Sequence, residues 1–251
     1  MRSPTDGSSS GIPAIAVVVA AGSGDRLGAG VPKAFALLGD RPMLAFSLRA
    51  LRVSPAVSGV VIAAPPDRVE EAAEIAFRFE PDLPVHAIVP GGPRRQDSVR
   101  LGLEAVPSAA AVVICHDAAR PFASPGLFSR VIEALEGGAA AEGAVPVVAS
   151  ADTVKRLRGR MVTGTIPREE VGLVQTPQAF VASVLREAHD RAAREGVEAT
   201  DDAMLLEEAG LRVVVVAGEP GNFKITTGED LVRAEALLRK AEAGAGAWRA
   251  S

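Results

Sequence analysis

Three features of this 251-residue sequence predict an α/β domain, a mostly parallel sheet with helices on both faces. Short β-branched apolar runs alternate with longer amphipathic stretches, a glycine-rich turn follows the first run, and an aspartate follows a central one. The runs at 14–20, 59–64, 85–89, 111–115, 143–149 and 211–217 read as strands. Several are continuously apolar, as strands buried on both faces are. Between them, Pro42 at a first-turn position followed by Leu44, Leu48 and Leu51 predicts one helix. The stretch 96–105, with Val99, Leu101 and Leu103, predicts another. Thr227 followed by Asp230 forms a capping-box pattern that opens the last helix through Leu231, Ala234, Leu237 and Leu238. The rhythm breaks between 151 and 172, where two short β-like pieces, 153–157 and 161–166, flank a turn at Arg158-Gly159. An isolated two-stranded hairpin is marginal in water, so this one either lies on the main domain or is stabilised by another subunit.

Composition narrows the functional classes. The chain is 48% hydrophobic and 23% charged, which suits one domain with a real core. Its 27 basic and 31 acidic side chains leave a net charge of −4, with no basic block to grip a nucleic-acid backbone. Cys115 is the only cysteine, so no intramolecular disulfide forms, and no CxxC or HxxxH pair supplies zinc-ligand spacing. The apolar run at 12–21 falls short of the ~18 residues a membrane helix needs. The first eleven residues, MRSPTDGSSSG, are polar and have no apolar signal region; they are expected to form a disordered tail. A single domain is expected over 12–241, with 242–251 as a flexible tail in which Trp248 is frayed. These readings point to a cytoplasmic protein with no nucleic-acid or membrane partner.

The residues that carry chemistry cluster in two motifs. In AAGSGDRLGAGVPK, Gly22, Gly24 and Gly28 allow close backbone approach, and Arg26 and Lys33 add positive charge. The spacing is G-x-G-x-x-x-G, one residue longer than the dinucleotide fingerprint, and no GK[ST] follows as in a P-loop. The segment is either a polyphosphate loop or an ordinary βα turn with solvated cations; two cations and a proline before Lys33 favour the first. Asp117, in HDAARPF, falls at the carboxyl end of a central strand, where ligands of open α/β sheets bind. It is either the carboxylate for one Mg²⁺ carried with a nucleoside triphosphate, or a loop aspartate paired with Arg120. His116 reads as a hydrogen-bonded orienting residue without a catalytic role.

Taken together, AAGSGDRLG with PK, GGPRRQDSV, HDAARPF, DTVKR with TIPR, QTPQAF, TDDA and NFKIT resemble the 2-C-methyl-D-erythritol 4-phosphate cytidylyltransferase family, from about residue 15 to 240. The resemblance implies a Rossmann-like domain with a projecting β-arm at 151–172 that dimerises. It also implies transfer of CMP from CTP to methylerythritol phosphate, with Mg²⁺ and release of pyrophosphate. Arg26 and Lys33 match the cations at the α-phosphate, and Asp117 matches the metal-coordinating aspartate. Ala20, Ala21, Gly22 and Gly24, with Gly92 and Ser98, match the nucleotide-contacting positions. Without the resemblance, Gly92 reads as a turn glycine and Ser98 as a first-turn helix residue. Arg168 and Lys224 match the cations that hold the acceptor phosphate, with Arg120, Thr153, Thr176 and Thr200 around the acceptor; Arg168 and Thr153 would reach across from the partner's arm. Thr200 also reads as an N-cap, and Arg168 as a surface charge. Two departures stand out: Pro93 replaces a more usual acidic or small residue, and Gly221-Asn222-Phe223 leaves the metal to Asp117 alone. A ribitol-5-phosphate cytidylyltransferase shares most of these motifs, but the HDAARP form and the TIPR segment favour methylerythritol phosphate. A non-catalytic nucleotide-binding module is disfavoured by the retained cations, and an NAD-dependent oxidoreductase by the glycine spacing.

Overall fold

The structure, a computed structural model, describes residues 13–24, 27, 30–136 and 141–249. The stretch 1–11, Arg26 and Gly28 lie outside the described residues. The strands are β1 (Ala14–Val19), β2 (Leu37–Leu38), β3 (Arg41–Pro42), β4 (Gly59–Ala64), β5 (Val85–Pro90), β6 (Val112–Asp117), β7 (Gly143–Ala149), β8 (Val154–Arg158), β9 (Met161–Ile166), β10 (Gly172–Val174), β11 (Gln178–Val181) and β12 (Val213–Ala217). The helices are α1 (Met43–Val53), α2 (Val69–Phe79), α3 (Arg95–Ala105), α4 (Pro125–Glu136), α5 (Ala182–Glu195), α6 (Asp202–Glu207) and α7 (Gly228–Arg249).

The main sheet runs β10-β7-β11-β6-β1-β4-β5, and β12 also pairs with β7. Side chains alternate across a strand, so each strand serves two helical layers. Ala14, Ala16 and Val18 of β1 join the core with Leu48 and Leu51 of α1, Ile75 of α2 and Phe128 and Val131 of α4. Ile15 and Val17 face the opposite core, with Val99 and Leu103 of α3, Leu185 of α5 and Leu206 of α6. This two-sided burial accounts for the continuous apolar runs.

Strand β1 lies parallel to both β4 and β6, with Val19 beside Ala63 on one side and Asp117 on the other. The chain order reverses across β1, which opens a crevice at the carboxyl ends of β1 and β6, the usual ligand position in such sheets. The sheet is mixed rather than purely parallel, because β11 inserts antiparallel between β6 and β7 and β10 pairs antiparallel with β7. Sequence periodicity missed both strands: four and three residues are too few to display alternation.

Other boundaries moved for local reasons. Helix α1 begins at Met43, one position later than expected, with Pro42 as its N-cap rather than in its first turn, because Pro42 closes the small β2–β3 hairpin opposite Leu37. The capping box of α7 forms as expected: Asp230 N–H donates to Thr227 Oγ1 (3.2 Å) and Thr227 N–H to Asp230 Oδ2 (2.9 Å). Helix α7 continues to Arg249, into the stretch from 242 expected as a tail. Its many alanines are strong helix formers, and no proline stops them. Strands β8 and β9 pair only with each other, and their turn uses Gly159 at φ 56°, a left-handed conformation that suits glycine. This hairpin exposes Leu157, Met161 and Val162.

Candidate active site

The loop after β1 forms one wall of the crevice. Gly24 has φ 81°, and a Cβ there would lie 2.8 Å from the Lys33 backbone nitrogen, so only glycine lets the loop close on Lys33. Lys33 opens a short 3₁₀ turn whose next residues, Ala34 and Phe35, are buried and anchor it. A second turn, before α3, packs against this loop so closely that a Cβ on Gly91 would meet that of Ala21 at 2.3 Å, and a Cβ on Gly92 would meet that of Asp97 within the turn at 2.4 Å. The Ser98 hydroxyl accepts from Gly92 N–H (3.1 Å) and is placed to donate to the Arg94 carbonyl (3.1 Å). Ser98 is buried and lines the cleft, but its hydroxyl is engaged in shaping the Gly92 turn.

Between these walls lies a cleft of about 360 Å³, bordered by Ala20, Ala21, Gly22, Lys33, Gly92 and Ser98, with Asp117 and Lys224 also on its surface. Small residues and exposed backbone suit a flat heterocycle and its sugar, and the cations suit phosphates. Of the expected nucleotide-contacting residues with described positions, all but Gly24 border this cleft directly; Gly24 acts by letting Lys33 approach.

Asp117 is the junction. Arg95 Nε donates to Oδ1 at 2.8 Å, Lys224 Nζ donates to Oδ2 at 2.7 Å, and the Asp117 N–H donates to Thr176 Oγ1 at 3.0 Å. Burial works to raise the Asp117 carboxyl, but the charges and hydrogen bonds of Arg95 and Lys224 prevail and hold it well below the usual carboxylate range. Pairing with Arg120 is not observed. Arg120 instead donates to the carbonyls of Asn222 (2.9 Å) and Val174 (3.3 Å), and burial lowers its pKa. His116 is fully buried, which pushes its pKa down to about 3 and keeps it neutral. It lies 3.2 Å from Thr176 Oγ1 and edge-on to Phe128, the orienting position expected of it.

A second cleft of about 460 Å³ lies on the other side of this junction, sharing Arg95, Asp117 and Lys224 with the first. It is bordered by Arg120, Thr176, Gln178, Thr200, Asp201 and Glu207. Asp201, not Thr200, caps α6: its side chain accepts from Met204 N–H at 3.1 Å, because it is the residue immediately before the helix. Lys224 sits on a loop clamped by Gln175, whose amide donates to the Glu219 carbonyl (2.8 Å) and accepts from the Glu219 N–H (3.0 Å). Asn222 ties the same loop to the Thr176 carbonyl (2.9 Å), and buried Ile225 anchors its far end through Ala119. Arg168 and Thr153 do not join this cleft. Arg168 is exposed, 3.8 Å from Glu169, and Thr153 is exposed before the β8–β9 hairpin.

Arg95, Gln175 and Asn222 were not singled out from sequence. Arg95 lay within the GGPRRQDSV motif, but nothing local distinguishes it from Arg94, which turns outward to Asp97 and Glu198. Its place at the start of α3, facing an aspartate, becomes evident only in the fold. Among the described residues no three His, Cys, Asp or Glu side chains gather, and Asp117 is the only carboxylate lining the first cleft. Such a donor set fits a Mg²⁺ held mainly by a ligand's phosphates, which needs only one or two carboxylates, and does not fit an all-protein metal cage.

Comparison with known proteins places this geometry. The family described as IspD, 2-C-methyl-D-erythritol 4-phosphate cytidylyltransferase, matches residues 14–240. A bifunctional enzyme IspD/IspF of Solidesulfovibrio magneticus is 46% identical over 86% of this chain, which spans 54% of that longer protein. The 2-C-methyl-D-erythritol 4-phosphate cytidylyltransferase of Streptomyces avermitilis is 43% identical over 93% of this chain and 94% of its own. Among solved structures, the enzyme of that name from Thermus thermophilus superposes with a TM-score of 0.71 at 40% identity, covering 89% of this chain and 98% of its own. The 4-diphosphocytidyl-2C-methyl-D-erythritol synthase from Anaerococcus prevotii gives a TM-score of 0.80 at 30% identity, covering 90% and 98%. The chain belongs to the 2-C-methyl-D-erythritol 4-phosphate cytidylyltransferase family.

Proposed function

We propose that this family member transfers CMP from CTP to 2-C-methyl-D-erythritol 4-phosphate, releasing pyrophosphate and giving 4-diphosphocytidyl-2-C-methyl-D-erythritol, a step toward isoprenoid precursors. The observation that carries the reading is the pair of clefts meeting at Arg95, Asp117 and Lys224, room for a nucleotide on one side and an acceptor on the other. An acceptor phosphate oxygen attacks the α-phosphorus in line, the bond to the β-phosphate oxygen breaks, and its electrons leave with pyrophosphate. Lys33, with Arg26, neutralises the charge that builds on the α-phosphate, while Lys224 and Arg120 hold the acceptor phosphate. Mg²⁺, when bound, would spread the phosphate charge with Asp117 as its protein ligand. No covalent nucleophile is needed, in keeping with a buried Cys115 and a neutral, buried His116.

The second cleft is completed, in this reading, by Arg168 and Thr153 of a partner subunit. Exposed Leu157, Met161 and Val162 on the hairpin support a homodimer in which 151–172 acts as the arm, because a hairpin without a covering surface is marginal in water. Among the described residues no helix is long and apolar enough to cross a membrane. A cytoplasmic location suits two charged, diffusible substrates.

The test is pyrophosphate release from CTP and Mg²⁺ with methylerythritol phosphate and, in parallel, ribitol 5-phosphate. Release with the first alone is expected. Release with the second alone would keep the chemistry and replace the acceptor, and release with neither would leave a nucleotide-binding module.

A further inference from the structure

Beyond the two clefts, a buried chain of side chains continues from Asp117 into the protein. Asp117 Oδ1 accepts from Arg95 Nε, and the other end of the same guanidinium, Nη1, donates to Asp202 Oδ2 at 2.8 Å. Asp202 Oδ1 in turn lies 3.1 Å from His189 Nε2. Asp202, on α6, and His189, on α5, are each only 1% exposed, and neither borders either cleft. The transfer reading leaves both without a role.

We propose that Asp202, backed by His189, is a positioning residue that holds Arg95 on one oxygen of Asp117, so that Lys224 is the exchangeable cation on the other. The inference rests on the two-cleft reading above for the meaning of that exchange. Its physical basis is an asymmetry between the two cations. Arg95 bridges two buried carboxylates with its planar fork, a geometry a lysine cannot reproduce. Moving Arg95 off this bridge would leave Asp202 as a buried charge with only His189 and the neutral Cys115 thiol beside it, which is strongly unfavourable. Lys224 is paired with Asp117 alone among the ion pairs described, and its side chain is 42% exposed. The lysine end of this half-buried pair is reached by solvent, and Asp117 keeps its pair with Arg95 when Lys224 turns to an incoming phosphate, so the buried carboxylate is not left uncompensated. The arrangement keeps Asp117 ionised and oriented while its Oδ2 side becomes free.

The experiment uses protein labelled with ¹⁵N-arginine. The Arg95 Nε–H signal, assigned by its loss in Arg95→Lys, is followed by hydrogen exchange without ligand and then with inorganic pyrophosphate as the probe. In the unsubstituted protein exchange is expected to be slow in both conditions. Asp202→Asn and His189→Leu are expected to speed it by about tenfold or more. His189→Gln, which keeps an N–H donor for Asp202, is expected to recover most of the protection. In parallel kcat is expected to fall about tenfold in Asp202→Asn with the KM for CTP changed less than about threefold, and to recover in His189→Gln relative to His189→Leu.

Unchanged exchange in Asp202→Asn, equal losses in the two His189 variants, or a kcat that falls only with the folded fraction would each overturn the proposal. Loss of Arg95 protection on adding pyrophosphate to the unsubstituted protein would do so as well. If Asp202→Asn does not fold, Asp202→Glu, which keeps the charge but displaces it, carries the same measurement. Normal exchange behaviour in a protein that releases no pyrophosphate from CTP would leave the positioning role standing and remove the transfer reading instead.

Discussion

The two clefts that meet at Asp117 are built by different means. The first takes much of its wall from the backbone and small side chains of two turns, after β1 and before α3, which approach so closely that a Cβ on Gly91 would meet that of Ala21 at 2.3 Å; Lys33, Asp117 and Lys224 complete it. The second is lined mainly by larger polar and charged side chains from five separated segments, at 95, 117–120, 174–178, 200–207 and 224, and two expected contributors, Arg168 and Thr153, stand away from it on exposed chain. A nucleotide site can be preorganised by local backbone geometry. An acceptor site that recruits distant segments depends on the fold, and in the proposed function on a second subunit.

The largest expected effect breaks the first cleft. Lys33→Ala is expected to lower kcat by roughly 10²–10³-fold, the cost of removing one preorganised donor to developing charge. Steady-state pyrophosphate release measures it, and near-normal turnover would remove Lys33 from the chemistry. Next, Arg168→Ala tests whether the second cleft draws on a partner. Losing one charge-assisted contact to a phosphate is expected to reduce kcat/KM for the acceptor by about 10–100-fold while CTP binding by calorimetry changes little. Mixing that variant with Lys33→Ala is expected to restore part of the activity, since a mixed dimer holds one site with both residues intact. Mixed dimers that stay inactive would confine each site to one chain.

The smallest effect concerns the buried support behind the wall common to both clefts. Burial opposes ionisation of Asp202, but Arg95 and His189 outweigh it and bring its pKa down to about 2. A depressed carboxylate pKa means the unfolded chain binds more protons, so this contribution is present above about pH 4 and is lost as the pH falls toward 2. It amounts to roughly 2 kcal/mol at neutral pH. The difference in urea unfolding free energy between the unsubstituted protein and Asp202→Asn is therefore expected to shrink on acidification from pH 7 to pH 3. A gap that stays constant would show that the Asp202 charge is not what stabilises this wall.

Legibility from sequence followed the same division. Six strands, the hairpin and the α7 cap could be read because each signal lies within one short segment: a run of β-branched residues, a turn glycine, or a threonine three residues before an aspartate. Ala20, Ala21, Gly22, Gly92, Lys33 and Asp117 fell in the first cleft because they follow strands or open turns at the carboxyl edge of the sheet. The alternative that pairs Asp117 with Arg120 is not realised, since Arg120 is its neighbour in sequence while Arg95 and Lys224 are its neighbours in space. Ser98 likewise keeps its place but spends its hydroxyl on the turn beside it.

Periodicity, capping and loop composition are short-range properties, so the amino-acid order alone settles the α/β class, the carboxyl-edge site and the loop that presents Lys33. Pairing among charged side chains is a long-range property. Arg95, Asp202 and His189 stand up to 107 positions from one another along the chain, and they meet only when α3, α5 and α6 pack on the same face of the sheet. A buried charge must find its counter-charge wherever packing brings one, and no local pattern records which of several arginines that will be.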